Sequence, residues 1–189
     1  SFYAWSFVLK LFNISILIAS LLIVGGCKKS YNPADKSVSD SSVITTDGQI
    51  EAGETYTNDA AKVDFQLPQG WILETDEESI TAFPKEGGFL VQFYLLESDD
   101  LDKTTAEALK ILNLEIINLK TDQIQEENIN DLKSKLFTGN SAGVHLIAGV
   151  IDVPADNLSM LIAAWGVNET VQKYEREVNS IIKSVKRAN

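Results

Sequence analysis

VHLIAGVIDV at residues 144–153 and LSMLIAAWGV at 158–167, separated by PADN at 154–157, decide the fold. Each run is rich in β-branched and aliphatic residues, and its length suits a strand. A four-residue connection closes a hairpin and makes the pair antiparallel. Successive strand side chains point to opposite faces. Val144, Leu146, Ala148 and Val150 therefore share one face, while Ile147, Ile151 and Val153 share the other. Both sets are apolar, so the sheet containing this hairpin must be covered on both faces.

Working outward, the residues after the hairpin predict a helix. Asn168 is placed to cap it, and Val171, Tyr174, Val178, Ile181, Ile182 and Val185 form one apolar stripe. Lys173, Glu175, Arg176 and Lys183 fall toward solvent, and Lys186 and Arg187 suit the negative end of the helix dipole. Before the hairpin, 132–138 reads as a strand closed by Gly139-Asn140, and the polar stretch 121–130 has no assignment. Thr104 and Glu107 have the spacing of a capping box, followed by Leu109, Leu112, Ile116 and Leu119 on one helical face. FLVQFYLL at 89–96 is apolar at both parities, and SITAF at 79–83 is a short strand ended by Pro84. Gly87-Gly88 marks a turn between them. Val63, Phe65 and Leu67 alternate with polar residues in a half-buried strand, which Pro68-Gln69-Gly70 stops before Trp71. The sum is an α+β domain over 60–189: an antiparallel sheet of five to seven strands flanked by helices on both faces, an α/β/α sandwich.

Four stretches carry a family likeness. Phe65-Gln66-Leu67-Pro68-Gln69-Gly70-Trp71 resembles the opening of PsbP/DcrB-like domains. Trp165-Gly166, then Tyr174-Glu175, then Ile182-Lys183-Ser184-Val185 resemble their close. The resemblance covers about 60–187. It implies an antiparallel α/β/α sandwich and a binding role. Bacterial members of the family are often envelope lipoproteins without assigned chemistry, plant members assist photosystem II, and others bind protein partners. The family supplies no catalytic residues to carry over.

The amino-terminal third has a different texture. FVLKLFNISILIASLLIV at 7–24 is nearly all apolar, and Lys10 is its one charge. The 14 residues from Leu11 to Val24 would span about 21 Å as a helix, short of a bilayer core of about 30 Å. That length suits the apolar segment of a signal peptide, the alternative being an uncleaved anchor helix. Val24-Gly25-Gly26-Cys27 follows and resembles the lipobox of bacterial lipoproteins, with Cys27 the sole cysteine. The expectation is a signal peptide over 1–26, cleavage before Cys27, and lipid, palmitate included, on its thiol. Several acyl chains, at about 0.8 kcal/mol per buried CH₂, would hold the protein at the membrane. Lys28 and Lys29 would add attraction to anionic headgroups. The sequence opens on Ser1 rather than Met, which gives an expectation that its true start is missing. From 27 to 59, Ser, Thr, Asp, Asn and Gly dominate, and the stretch is expected to be a flexible tether reaching roughly 30 Å, with Val43-Ile44 a candidate short strand or docking segment.

Charge and rare residues narrow the function. The chain carries 27 acidic and 16 basic residues, a net charge of -11. Removing residues 1–26 takes away Lys10 alone, leaving 15 basic residues and a net charge of -12. This acidic balance argues against nucleic acid as a partner. One cysteine rules out an intrachain disulfide and a zinc ribbon. His145 is the only imidazole, its strand neighbours are apolar, and it reads as structural. The acidic cluster Glu97, Asp99, Asp100 and Asp102 precedes a helix and reads as capping and solvation, without the spacing of a calcium loop. Glu126-Glu127 and Asp76-Glu77-Glu78 read as solvated loops, and Trp71 and Trp165 as core residues or the lining of a ligand cleft. Gly87-Gly88 and Gly139-Asn140 are not phosphate loops. No metal or cofactor is expected. The function expected is a non-catalytic envelope lipoprotein, with the outer membrane favoured, whose domain binds a protein or small ligand. The alternatives are a carboxylate-dependent envelope hydrolase and a purely structural envelope component.

Overall fold

The computed structural model describes residues 50–75 and 80–188. Cys27, Val43-Ile44 and the acidic run Asp76-Glu77-Glu78 lie outside the described residues. The described residues form eleven strands and two helices: β1 (Ala52–Asn58), β2 (Val63–Pro68), β3 (Trp71–Thr75), β4 (Ile80–Pro84), β5 (Val91–Leu96), α1 (Leu101–Glu115), β6 (Lys120–Thr121), β7 (Gln125–Ile129), β8 (Leu132–Ser141), β9 (Val144–Asp152), β10 (Ser159–Val167), α2 (Asn168–Ser184) and β11 (Lys186–Arg187).

The hairpin at 144–167 is the centre of the molecule. β9 and β10 pair antiparallel in unbroken register from Ser159–Asp152 to Val167–Val144. Around them the large sheet runs β3-β4-β5-β10-β9-β8-β6, with β7 also paired to β8. The two-face expectation holds residue by residue. Leu146, Ala148 and Val150 join a cluster with Ala108, Leu112 and Ile116 of α1. Ile147 and Ile151 join the opposite cluster, with Val171, Val178, Ile181 and Ile182 of α2. Each fully buried Leu or Ile contributes roughly 1.5–3 kcal/mol.

The expected sandwich needs one correction: the faces are not covered by helices alone. On the α2 side a second sheet, ordered β1-β2-β11, shares the cover, with Val63, Phe65 and Leu67 of β2 in the same cluster. Pro68-Gln69-Gly70 is therefore more than a stop. The chain leaves the small sheet at Pro68, turns through Gly70 at φ +80°, and starts the large sheet at Trp71. The tether expected to continue to residue 59 gives way to strand at Ala52, where β1 pairs with β2. Its polar sequence hides this because burial along β1 is slight until Asn58. Gly53 sits at a register shift in β1, where a Cβ would lie 2.8 Å from the carbonyl oxygens of Leu67 and Pro68.

Four local expectations also change. Helix α1 starts at Leu101, capped by Asp100, whose Oδ1 accepts from the N–H groups of Asp102 (3.0 Å) and Lys103 (3.1 Å). Thr104 is inside the helix and completely buried, its hydroxyl donating to Asp100 O at 2.9 Å. Asn168 does not cap α2 but is its first residue, and its N–H donates to Gly143 O at 3.1 Å from the β8–β9 turn. Gly139-Asn140 does not close β8, because the strand continues to Ser141. At Gly139 a Cβ would lie 2.8 Å from Leu119 Cδ1 and 3.1 Å from the backbone oxygen of Lys120 on the paired strand β6. The turn is Ala142-Gly143, both at positive φ as a two-residue hairpin demands. The unassigned stretch 121–130 holds β7, joined to β8 by Asn130-Asp131, also both at positive φ.

Candidate functional site

The small-sheet turn and α2 meet over an aromatic cluster. Trp71 follows Gly70 directly, and its position at the start of β3 sends its side chain toward the α2 side of the sheet. There it packs edge-on against Phe89 (ring centroids 6.4 Å) and Tyr174 (5.9 Å), while Phe89 and Tyr174 stack at 5.0 Å. These contacts unite the first and third stretches of the family resemblance. The fourth is tied in by Ser184, whose hydroxyl accepts from Gln66 N–H at 2.8 Å. Three of the four stretches thus hold residues that fasten α2 to β2 and the start of β3, while Trp165-Gly166 lies on β10.

Tyr174 carries a polar relay to the surface. Its hydroxyl accepts from Lys173 Nζ at 2.8 Å and donates to Glu86 Oε1 at 3.2 Å. The same ammonium lies 4.5 Å from the Tyr174 ring centroid. The hydrogen bond to Tyr174, with Glu86 and Glu177 nearby, raises the Lys173 pKa above the ordinary lysine value. Glu86 is held below the ordinary carboxylate value, first by a backbone hydrogen bond and then by Tyr174 and Lys173.

Beside this cluster is an open cleft of about 660 Å³. Ile50, Glu51, Pro68 and Gln69 line it on one side and α2 on the other, through Gln172, Lys173, Glu175, Arg176 and Glu177, and Trp71 lines it too. Gln69 is fixed by its N–H, which donates to Glu51 O at 3.0 Å. The α2 residues recur at helical spacing, which is why Lys173, Glu175 and Arg176 read from sequence as a solvated face. Nothing in the sequence marked Glu51 and Gln69 as their neighbours, because that depends on the small sheet. The described lining residues include no hydroxyl, thiol or imidazole, so a Ser–His or Cys–His pair is not among them, while Glu51, Glu175 and Glu177 are carboxylates.

The other sequence candidates lie elsewhere. Trp165 belongs to the cluster on the α1 side of the sheet, so the two tryptophans do not share a cleft. His145 pairs across strands with Asn140, its Nδ1–H donating to Asn140 Oδ1 at 2.8 Å. Two members of the acidic cluster, Asp100 and Asp102, are taken up by structure. Asp100 caps α1, and its carboxyl is held below the ordinary value, chiefly by the Lys103 N–H. Asp102 and Glu126 both pair with Lys135, at 2.5 and 3.2 Å. Ser98 O accepts from the buried Ser159 hydroxyl at 2.7 Å. Among the described residues no group of three or more His, Cys, Asp and Glu is placed to hold a metal ion. Nor is any described helix long and apolar enough to cross a membrane.

No protein-family profile and no curated protein sequence matches this chain. Solved structures do. The cyanobacterial PsbP protein CyanoP from Synechocystis sp. PCC 6803 has a TM-score of 0.52 at 9% identity, covering 73% of this chain and 93% of CyanoP. A variant of the protein Mog1 has a TM-score of 0.50 at 11% identity, covering 72% of this chain and 96% of Mog1. LpqN of Mycobacterium tuberculosis, involved in cell envelope biogenesis, has a TM-score of 0.46 at 12% identity, covering 67% of this chain and 83% of LpqN. At such identities the likeness is one of architecture, and the described domain has a PsbP-like fold.

Proposed function

We propose that this protein is an envelope lipoprotein, cut before Cys27 and held by lipid on that residue, whose PsbP-like domain binds a protein or small ligand without chemistry of its own. The observation that carries the binding role is the cleft of about 660 Å³ between the β2–β3 turn and α2. It combines Trp71 with charged and amide side chains from both sides, and its backbone is pinned by the motif residues around Trp71 and Ser184. Concave sites with a few convergent polar groups are where ligands are held. The lipobox-like sequence before Cys27 supports the anchor, and the outer membrane is the favoured location because Lys28, not Asp, follows Cys27.

Two measurements test this. Labelled palmitate should enter the wild-type protein, and Cys27→Ser should abolish both the label and membrane fractionation; a labelled, membrane-bound Cys27→Ser protein refutes the anchor. Cross-linking in native envelopes should capture a reproducible partner through the wild type and much less through Arg176→Ala, which changes only an exposed cleft residue. Equal capture by both removes the cleft from the binding role.

A carboxylate hydrolase is the second reading, because Glu51, Glu175 and Glu177 share the cleft and glycoside hydrolysis needs two carboxyls about 5–9.5 Å apart. Turnover of an envelope glycan that disappears in Glu175→Gln would put this reading first.

A further inference from the structure

We infer that the cleft beside Trp71 takes a neutral oligosaccharide chain, an inference that rests on the proposed role of the cleft as a binding site. The lining argues this by its balance. An apolar ligand needs an apolar pocket, but here Trp71, Ile50 and Pro68 are the only apolar lining residues. An anion would face Glu51, Glu175 and Glu177, and a cation would face Arg176 and Lys173. Lys173 is already engaged with the Tyr174 hydroxyl at 2.8 Å, with Glu86 and Glu177 close by. Three carboxylates against two cations leave the lining one charge negative, and with Gln69 and Gln172 it is dense in both donors and acceptors. A sugar ring matches that inventory. Each of its hydroxyls donates and accepts, as carboxylates, amides and a guanidinium require. Its C–H face is apolar and flat enough to lie against an indole.

The geometry adds two points. Trp71 is held edge-on by Phe89 and Tyr174 at 6.4 and 5.9 Å, so its ring is oriented before any ligand arrives. A pre-set aromatic platform lowers the ordering cost of binding. The cleft is also open along α2, where Gln172 and Arg176 are one turn apart and flank the same groove. A chain of several sugar units can lie along such a groove, whereas a compact ligand would leave it largely unfilled.

The test uses the full chain in detergent with three neutral hexasaccharides: β-1,4-linked glucose, β-1,4-linked N-acetylglucosamine and β-1,3-linked glucose. Binding is followed by calorimetry and Trp fluorescence. At least one should bind with Kd below about 1 mM, and Arg176→Ala should weaken it by about tenfold or more. Trp71→Phe keeps an aromatic in the cluster and should weaken binding without unfolding the domain, as circular dichroism would confirm. The sugar should be recovered intact. No binding by any of the three, or binding unchanged in both Arg176→Ala and Trp71→Phe, overturns the inference. If envelope cross-linking still finds a partner that Arg176→Ala loses, the cleft keeps its binding role and only the sugar is wrong. If neither sugar nor partner depends on Arg176, both readings fail together.

Discussion

At the residue scale, Gly149 shows how closely α2 is seated. It lies in β9 at the centre of the sheet, and a Cβ there would meet Leu136 Cδ2 at 2.9 Å and Ile182 Cγ2 at 3.0 Å. Ile182 is 1% exposed and hemmed in by the core, so it cannot swing away. Gly149→Ala should therefore destabilise the fold by about 1–3 kcal/mol, the usual range for an overpacked core. Thermal or urea unfolding measures this, and an unchanged midpoint would show that α2 is less tightly seated than its contacts indicate. The residue scale is also where the sequence was least legible. AGV within 144–153 scans as one more small residue in an apolar run. Only the paired strand and the helix overhead make Gly149 obligatory. Trp165 stays open in the sequence for the same reason: the cluster it joins draws on α1, β8 and β9, far away in the chain.

At the element scale, periodicity located both helices and six of the eleven described strands, β2, β4, β5, β8, β9 and β10, while ends and caps went astray. Short-range signals compete there. Thr104-x-x-Glu107 has capping-box spacing, but Asp100 is four residues earlier and captures the helix start. Thr104 is then free to turn inward and bond the Asp100 carbonyl. The small sheet was missed because β1 and β11 have little buried surface and leave no alternation to detect. The Asp100 cap carries a pH signature. Its carboxyl titrates lower in the fold than in the unfolded chain, because the Lys103 N–H and ammonium and the Asp102 N–H favour the ionised form. Its contribution is therefore complete above the ordinary carboxylate pKa of 3.8 and is lost as pH falls through the folded value. Asp100→Asn keeps a capping oxygen but has no charge to titrate. The wild type should melt higher than Asp100→Asn at pH 7, and the gap should close as pH drops below about 4. A gap constant across that range would mean that the carboxylate charge adds nothing to the cap.

At the scale of the whole molecule, the domain has two cores and one wall between them. One cluster joins the sheet to α2 and β2, and the other joins it to α1. The wall is β9 and β10, whose alternate residues feed both clusters, so neither core can open without exposing the back of the other. This was the part most readable from sequence, since apolar residues at both parities of a strand state directly that two faces are covered. It also predicts cooperativity. Trp71 packs in the α2-side cluster and Trp165 in the α1-side cluster, so each tryptophan reports on one core. Variants retaining only Trp71 or only Trp165, with the other tryptophans changed to Phe, should unfold in urea with one midpoint by fluorescence, once each variant is referenced to its own circular dichroism curve. If Trp71 reported an earlier transition than backbone dichroism, the small sheet and α2 would be detaching as a unit while the large sheet persisted on α1. The central wall would then be a support for a separable layer. Coincident transitions would instead mean that the cleft beside Trp71 is as stable as the whole domain, and that whatever it binds meets a site already formed.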